Sequence, residues 1–555
     1  MNKVPSIIRS RKRRRLNYKK NPAGKAGLIS IIVLSLLFSV FIISIAFVFF
    51  RVAQDLPAPE RLATLVSPPD GELLQPTQLY DRTGNTVLWS FENPLVQDRK
   101  FVTLDSLTNS GIVPATVIAS DPEFWSRSNW QLLDWRSAND SNNLSIPLRL
   151  VSELLFWGEP EGLTRQLRER IVAAQVVSRF GREKILEWYL NSAYYGHSVY
   201  GIESAAQVYF GKSASNLNLA EAALLAAVGE APALNPFDAP QAAHERQEEL
   251  LQAMLRKGTI TAEQVRQAGK TELTFQSQPP LDPIPTFVPY VLAQATKEIP
   301  EERLIRGGFK VVTSLDAKLQ EQTACTIQHQ VNWTGDEVVQ ADSACQAARL
   351  LPTLSQIPDK EQGSLTAMVV ILDPQTGQIL ALADGGPQTR NIAWDHSHPA
   401  GSILAPFLYL TAFTRGEQPA TLVWDLPPDS DLSLEETHPQ CQENCQYQGP
   451  VRLRTALAND YVAPALYYWE KLGQANVENI INNLDITLDS SECADCEAWW
   501  DQKAVTLLDI AQAYGVLGNQ GFLVGSSSSL DNGNLSPVSI LRVEDWSGNI
   551  WHQSP

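Results

Sequence analysis

The apolar positions of this chain change period several times, and each change marks an element. From Ala26 to Phe50 there is no period at all: 25 residues carry no charge and are rich in Ile, Leu, Val and Phe. That is enough helix to cross a bilayer with some tilt. No small-residue cleavage site follows in Phe47-Val48-Phe49-Phe50-Arg51, so the run predicts a retained anchor and not a cleaved signal. Residues 51–100 are Pro-rich, then strand-like in "TQLYDRTGNTVLWSF", with a Thr-Gly-Asn turn at 83–85. Residues 101–275 are mainly helical. "RQLRERIVAAQVVSRFGREKILEWYLNSAYYG" and "NLAEAALLAAVGEAPALNP" space their apolar residues for helix and close on Gly or Pro.

The Pro cluster from Pro279 to Pro289 predicts a linker. "RGGFKVVTSLDAKLQEQTACTIQHQV" then reads as strand followed by helix. "GSLTAMVVILDPQTGQILALADGG" reads as a β-hairpin, two apolar runs around Pro374-Gln-Thr-Gly377. Helices are expected at 402–414 and 505–517, a loop in "GSSSSLDNGNLSP", and a last strand pair from Val538 to Trp551. No internal repeat is present.

Charge changes this picture at one end only. The net charge is −17, yet residues 1–25 hold ten Lys or Arg and no acid, which leaves −27 for residues 26–555. An acidic bulk repels phosphates and excludes nucleic acid as the partner. Ten positive charges just before an apolar span instead predict a cytoplasmic N-terminus and an external remainder. All six cysteines (Cys325, Cys345, Cys441, Cys445, Cys493 and Cys496) fall on that external side, where disulfides form. Local pairing, 325–345, 441–445 and 493–496, is the simplest connectivity. The alternative is a four-thiolate zinc site from Cys441-x3-Cys445 and Cys493-x2-Cys496. His396-Ser397-His398 reads as turn chemistry and not as a metal clamp, and no metal site is expected.

The stretch "HPAGSILAPFLYL" raises the question of catalysis. Ser402 follows a Pro-x-Gly turn and opens an apolar helix, as a nucleophilic serine does. A serine of this kind takes a lysine three residues on, one helical turn away, and that position is Ala405. No Ser-x-x-Lys occurs anywhere in the 555 residues.

Together these stretches resemble the class A penicillin-binding proteins. The match is densest in "REKILEWYLNSAYYGHSVYGIESAAQVYFGKSASNLNLAEAALLAA", residues 182–227. It continues through "RGGFKVVTSLD", "DPQTGQILALADGG", "PAGSILAPFLYLTAF", "GPVRLRTALAND" and "TLLDIAQAYGVLGNQG". The resemblance implies a multidomain plan: a transmembrane helix, a mostly α, lysozyme-like glycosyltransferase domain of family 51, then an α/β transpeptidase-like domain. The expected bounds are 1–25 for a basic cytoplasmic tail, 26–50 for the anchor and 51–100 for a linker and strand region. The glycosyltransferase-like domain follows at 101–275, a linker region at 276–360, and a C-terminally truncated transpeptidase-like domain at 361–555.

The resemblance also implies catalytic positions, and many are substituted. The first glycosyltransferase motif, Glu-Asp-x-x-Phe-x-x-His-x-Gly, falls on "SDPEFWSRSN": Asp121 and Phe124 stay, and Ser120 stands where the general-base glutamate belongs. The second, Gly-Gly-Ser-Thr-x-x-Gln-Gln-x-x-Lys-Asn, falls on "NNLSIPLRLVSE". There Ser145 keeps a hydroxyl, Pro147 sits inside what should be helix and Ser152 replaces the lysine that meets the pyrophosphate. The third, Arg-Lys-x-x-Glu-Ala, falls on "RQLRER", where Arg165 and Glu169 remain. Arg179 and Glu187 also match.

Glu169 is thus the retained acid, organising a diphosphate and its divalent ion, Mg or Mn, if the site is active; its bland reading is a solvated helix carboxylate. Arg149, Arg165 and Arg168 are an anion-binding face or plain surface charge. Glu123 is a candidate displaced base. In the second domain Ser-x-Asn falls on Asp460-Tyr461-Val462, Lys-Thr-Gly is absent, and Ser402 reads as a helix N-terminal residue.

The expectation is therefore a degenerate member of this family in peptidoglycan biosynthesis. It would be a single-pass protein of the cell membrane that binds lipid II, glycan strands or other cell-wall synthases. The alternative is an active glycosyltransferase polymerising lipid II without transpeptidase activity.

Overall fold

The computed structural model describes residues 32–40, 42–43, 50–68, 71–96, 99–133, 145–277, 284–332, 345–350, 366–385, 394, 396–429, 433, 437–438, 446–484, 486–490, 500–526 and 535–554. The chain divides into two compact units, residues 1–62 with 120–186, and residues 63–119 with 187–555. Of the expected anchor, residues 32–40, 42–43 and 50 are described and are helical, with exposed side chains. Among the described residues no helix is long and apolar enough to cross a membrane. The rest of the anchor and the basic tail lie outside the described residues.

In the first unit the helix Ile146–Leu155 buries Ile146, Leu148, Leu150, Val151 and Leu154. Pro147 sits inside this helix, as the sequence reading has it. It is tolerated because it lies in the first turn, where no intrahelical partner exists for its missing N–H and its fixed φ suits the helix. The helix Leu163–Ser192 has a break at Gly181, with φ 79° and ψ 167°. Only glycine takes that backbone without strain, so one amphipathic run becomes two helical stretches, 163–180 and 182–192.

The second unit holds a five-stranded sheet in the order β12-β11-β3-β1-β2. Its strands are β1 Gln78–Tyr80, β2 Val87–Ser90, β3 Phe309–Thr313, β11 Ile540–Asp545 and β12 Ile550–Gln553. β1 runs parallel to β3, and the other pairs are antiparallel. β3 is the middle strand, with Phe309, Val311 and Val312 buried. The span 276–360, expected as a linker region, therefore supplies the sheet's centre. It also carries the helices Phe287–Ala295 and Ala317–Asn332.

The β1–β2 turn is organised by Asp81, which accepts from Thr86 N and Asn85 N, both at 3.1 Å, and from the Thr83 hydroxyl. Burial alone would raise the Asp81 pKa, but these donors bring it below the usual carboxylate range.

β4 Ala367–Leu372 and β5 Ile379–Gly385 form the expected hairpin around Pro374–Gly377. Gly377 has φ 69°, and a Cβ there would meet Val524 O at 2.5 Å, so no larger residue fits. Gln320 pairs with the backbone of Leu382 in both directions, at 2.9 Å each, as a strand neighbour would. β6 Ser397–Pro399, β9 Asp489–Ser490 and β10 Lys503–Thr506 make a small sheet, and β7 Leu422–Asp425 pairs with β8 Gly449–Arg452. Beside them one apolar cluster unites the helices Ala405–Thr414, Val462–Leu472, Gln474–Asn482 and Leu507–Gly518 through Phe407, Leu408, Tyr468, Ile481 and Ala513.

Cys325 and Cys345 form a disulfide, with Cα atoms 5.9 Å apart. Cys441, Cys445, Cys493 and Cys496 lie outside the described residues.

Candidate active site

The three segments that carry the glycosyltransferase-like positions meet at the two ends of the helix Ile146–Leu155. At its N-terminal end Asp121, buried, accepts from Ile146 N at 3.3 Å through Oδ2 and from Arg127 Nη2 at 2.9 Å through Oδ1. A carboxylate thus meets one of the N–H groups that a helix start leaves open. Ser120, the preceding residue, is buried at the end of the helix Ile112–Ser120. Ser145 is the N-cap residue, but its hydroxyl is buried without a hydrogen-bond partner among the described residues. Arg149 closes the first helical bond, donating N–H to Ser145 O at 2.9 Å, and is half-buried.

At the other end Ser152 donates to Glu169 Oε1 at 2.7 Å, and Arg165 Nε donates to the same oxygen at 2.8 Å. Arg165 Nη2 reaches Ser152 Oγ at 3.3 Å and Nη1 reaches Glu159 O at 2.6 Å. Arg165 and Glu169 are four residues apart on one helix, so the backbone alone brings them together. Glu169 is 6% exposed, which removes the solvated-carboxylate reading. Ser152, where the resemblance places a lysine, is here a neutral donor to Glu169.

The remaining expected residues are placed differently. Arg179 pairs with Glu60 at 3.1 Å, with both side chains more than half exposed. Glu123 has a 65% exposed side chain, with Arg127 at 3.8 Å. Arg168 is not a free anion-binding group, since its guanidinium donates to the carbonyls of Val52, Gln54 and Asp55. Arg182, which the sequence did not single out, donates to Phe124 O at 2.6 Å and also to Arg127 O, and burial lowers its pKa. Glu187, in the second unit, accepts from Leu104 N at 3.1 Å. Of these contacts the four-residue spacings of Arg165 with Glu169 and of Glu123 with Arg127 are local enough to leave a signal in the sequence. Asp121 and Ile146 are 25 positions apart, with no pattern linking them.

Ser402 sits in the 3-10 turn Gly401–Leu404 that leads into the helix Ala405–Thr414. It is a helix-entry residue, but its hydroxyl does not cap the helix. It donates to Asp460 Oδ2 at 2.7 Å. Asp460 has a left-handed backbone, φ 52°, and stands at the first position of the expected Ser-x-Asn. Ala405 is buried and offers no base. A cavity of about 260 Å³ adjoins the turn, lined mainly by apolar side chains that include Met368, Pro399, Ile403, Val505 and Ile510.

Among the described residues no group of three or more His, Cys, Asp or Glu is placed to hold a metal ion. Glu169 is a single carboxylate already paired with a guanidinium, so these residues do not by themselves form a divalent-ion site.

Residues 146–255 match the transglycosylase family, a span that includes Ser152, Arg165 and Glu169. Penicillin-binding protein 2D of Bacillus subtilis is 25% identical over 510 residues, covering 88% of this chain and 67% of that relative. Penicillin-binding protein 1A of Aquifex aeolicus is 25% identical, covering 97% of this chain and 78% of its own length. Among solved structures, penicillin-binding protein 1A from Haemophilus influenzae aligns with a TM-score of 0.44 at 18% identity, over 87% of this chain and 72% of that one. The helical region around Glu169 is thus of the transglycosylase class. Over most of its length the chain is similar to penicillin-binding proteins, with the transglycosylase match confined to residues 146–255.

Proposed function

We propose that this protein is a catalytically silent member of its family, anchored in the cell membrane through residues 26–50. It would act in peptidoglycan assembly by binding lipid II, glycan strands or other synthases. The observation that carries this reading is the self-pairing of the polar groups at the candidate site. Glu169 is engaged by Arg165 and Ser152, and Asp121 by Arg127 and the helix N-terminus. Position 120, where a proton acceptor is needed, is a serine. A serine hydroxyl does not take a proton from a sugar hydroxyl near neutral pH, and loss of a general base costs about 10²–10⁴ in rate. In the transpeptidase-like region Ser402 faces a carboxylate and has no lysine, so it is an ordinary hydroxyl.

Silence in chemistry leaves binding intact. Arg165 keeps a guanidinium beside Ser152, and a planar guanidinium suits the oxygens of a diphosphate. A divalent ion bound there would take most of its ligands from that diphosphate and from water.

The rival reading, a working glycosyltransferase without transpeptidase activity, draws on one feature. Glu169 is buried and held in a single orientation by two donors, as a working carboxylate is. It lacks a matching proton acceptor, because Glu123 is exposed and loosely paired.

The test is binding without turnover. Purified full-length protein in detergent should retain lipid II in an equilibrium binding assay, and Arg165→Met should weaken that binding about tenfold or more. Failure to bind lipid II or isolated glycan strands would sink the ligand-binding part of the proposal.

A further inference from the structure

Residues 50–53 are the last helical residues of the N-terminal segment, and the chain leaves them through Gln54 and Asp55, the latter at φ 56°. A helix that ends here leaves carbonyl groups without intrahelical donors. One side chain meets three carbonyls at this exit. Arg168 donates through Nη1 to Val52 O at 3.2 Å and Gln54 O at 2.6 Å, and through Nη2 to Asp55 O at 2.9 Å. The guanidinium is itself held in place. Nη2 lies 3.0 Å from Glu159 Oε1, and Cζ stands 5.8 Å from the centroid of the Phe156 ring. A planar fork with several fixed donors can serve three carbonyls and a carboxylate at once, which an ammonium group cannot. A cation at this end of a helix also lies on the favourable side of its dipole.

Arg168 is one residue from Glu169 and three from Arg165 on the same helix. Glu159 joins them a second time: its backbone oxygen accepts from Arg165 at 2.6 Å while its carboxylate pairs with Arg168. Residues 1–62 and 120–186 also fall into one compact unit, which the contacts of Arg168 help to explain. The exit of the N-terminal helix and the Ser152–Arg165–Glu169 cluster therefore share one set of contacts.

We infer that Arg168 is a positioning residue that locks the exit of the membrane anchor to the helix carrying Arg165 and Glu169. It thereby sets the height and orientation of that cluster over the bilayer. The inference rests on the reading of residues 26–50 as a membrane anchor. A lipid-linked diphosphate is held at the membrane surface by its own chain, so the height of the groups that receive it is a variable of binding. A free tether after the anchor would leave that height undefined, and a forked clamp defines it.

The experiment has two arms on the full-length protein. In detergent, spin labels on keto amino acids introduced at the exposed positions Gln54 and Glu161 report the distance across the clamp without using the native cysteines. The parent should give one narrow distance, and Arg168→Met should lose it for a broad distribution. Arg168→Lys should lose it nearly as completely, because the charge remains but the fork does not. Glu159→Gln, which leaves Arg168 in place, gives an intermediate breadth and serves if Arg168→Met does not fold. In nanodiscs, a fluorophore at Glu161 and an acceptor on the lipid headgroups report height, which should be single-valued in the parent and spread in Arg168→Met.

An unchanged Gln54–Glu161 distance in a folded Arg168→Met overturns the clamp. A broadened distance with unchanged height overturns the claim about the bilayer. Extraction of the parent from membranes by alkaline carbonate overturns the anchor reading and with it the claim about height. That outcome is distinguishable, because the detergent arm needs no bilayer.

Discussion

Glu169 and Ser402 are two positions to which the sequence resemblance assigns chemistry, yet their surroundings differ. Around Glu169 the charge is kept and balanced: a buried carboxylate, a guanidinium and a hydroxyl close on one another at 2.7–3.3 Å. Beside Ser402, Ala405 stands where the resemblance places a lysine. Ala405 is apolar and buried, and the serine hydroxyl donates a hydrogen bond to the Asp460 carboxylate. The first arrangement still offers a positive side chain to an anion. The second offers a carboxylate, which repels the carboxylate end of a peptide or a penicillin. On the proposed reading, loss of a catalytic group leaves a binding site in one place and removes it in the other.

The sharpest test of that difference lies at Ser402. A fluorescent penicillin should give no covalent label, since nothing activates the hydroxyl. Restoring the lysine alone by Ala405→Lys should not produce one, because that position is buried in an apolar cluster and the new amine would be desolvated. A label on the native protein that disappears in Ser402→Ala would contradict the contrast directly.

A second, smaller effect lies at Arg165. Arg165→Met leaves Glu169 buried with only the Ser152 hydroxyl and no cation beside it, which should lower stability by about 3 kcal/mol. Arg165→Met with Glu169→Leu should recover most of that loss, because the uncompensated charge is then gone. Denaturant titration of the two variants checks both values. Near-equal stability of the single and double variants would mean that the pair carries no such coupling. Asp121→Ala comes next, with an expected loss of about 1–2 kcal/mol from the missing cap and the freed Arg127.

Parts of this arrangement were legible in the sequence for physical reasons. The hairpin at 367–385 announced itself through two apolar runs around a Pro-to-Gly turn, a local signal that local geometry obeys. Arg165 and Glu169 were legible as a pair because helix spacing alone sets their contact. Pro147 was legible as a helix residue, but that it falls in the first turn, where proline is tolerated, depends on a boundary the motif does not mark.

The five-stranded sheet was not legible. β1 and β3 pair across 232 positions (Gln78 with Lys310), and nothing within either strand names its partner. Asp121 at Ile146 N and Arg168 at the carbonyls of 52–55 were hidden for the same reason. A side chain that satisfies distant backbone leaves no periodic trace.

The smallest expected effect separates the sheet from both clusters. Asp81 has its folded pKa lowered by backbone donors in the β1–β2 turn, so the ionised form is the one that folding favours. Its contribution is present above the unfolded carboxylate value, about 3.9, and is lost as pH falls through the lower folded value. Amide exchange in β1 and β2 should therefore lose protection in that acidic window, and Asp81→Asn should remove this pH dependence. An unchanged pH profile in the variant would assign the effect to other groups.

Polymerisation of lipid II by the purified full-length protein, in detergent with Mg or Mn, tests catalytic silence most directly. The expected result is no glycan strands, or only traces, with little gain in Ser120→Glu because Ser152 still lacks the lysine and groups that act as a unit are not restored singly. Strand synthesis at a rate like that of intact relatives, abolished by Glu123→Gln, would contradict it. The proton acceptor would then have moved three residues along the chain, to a glutamate that is now 65% exposed.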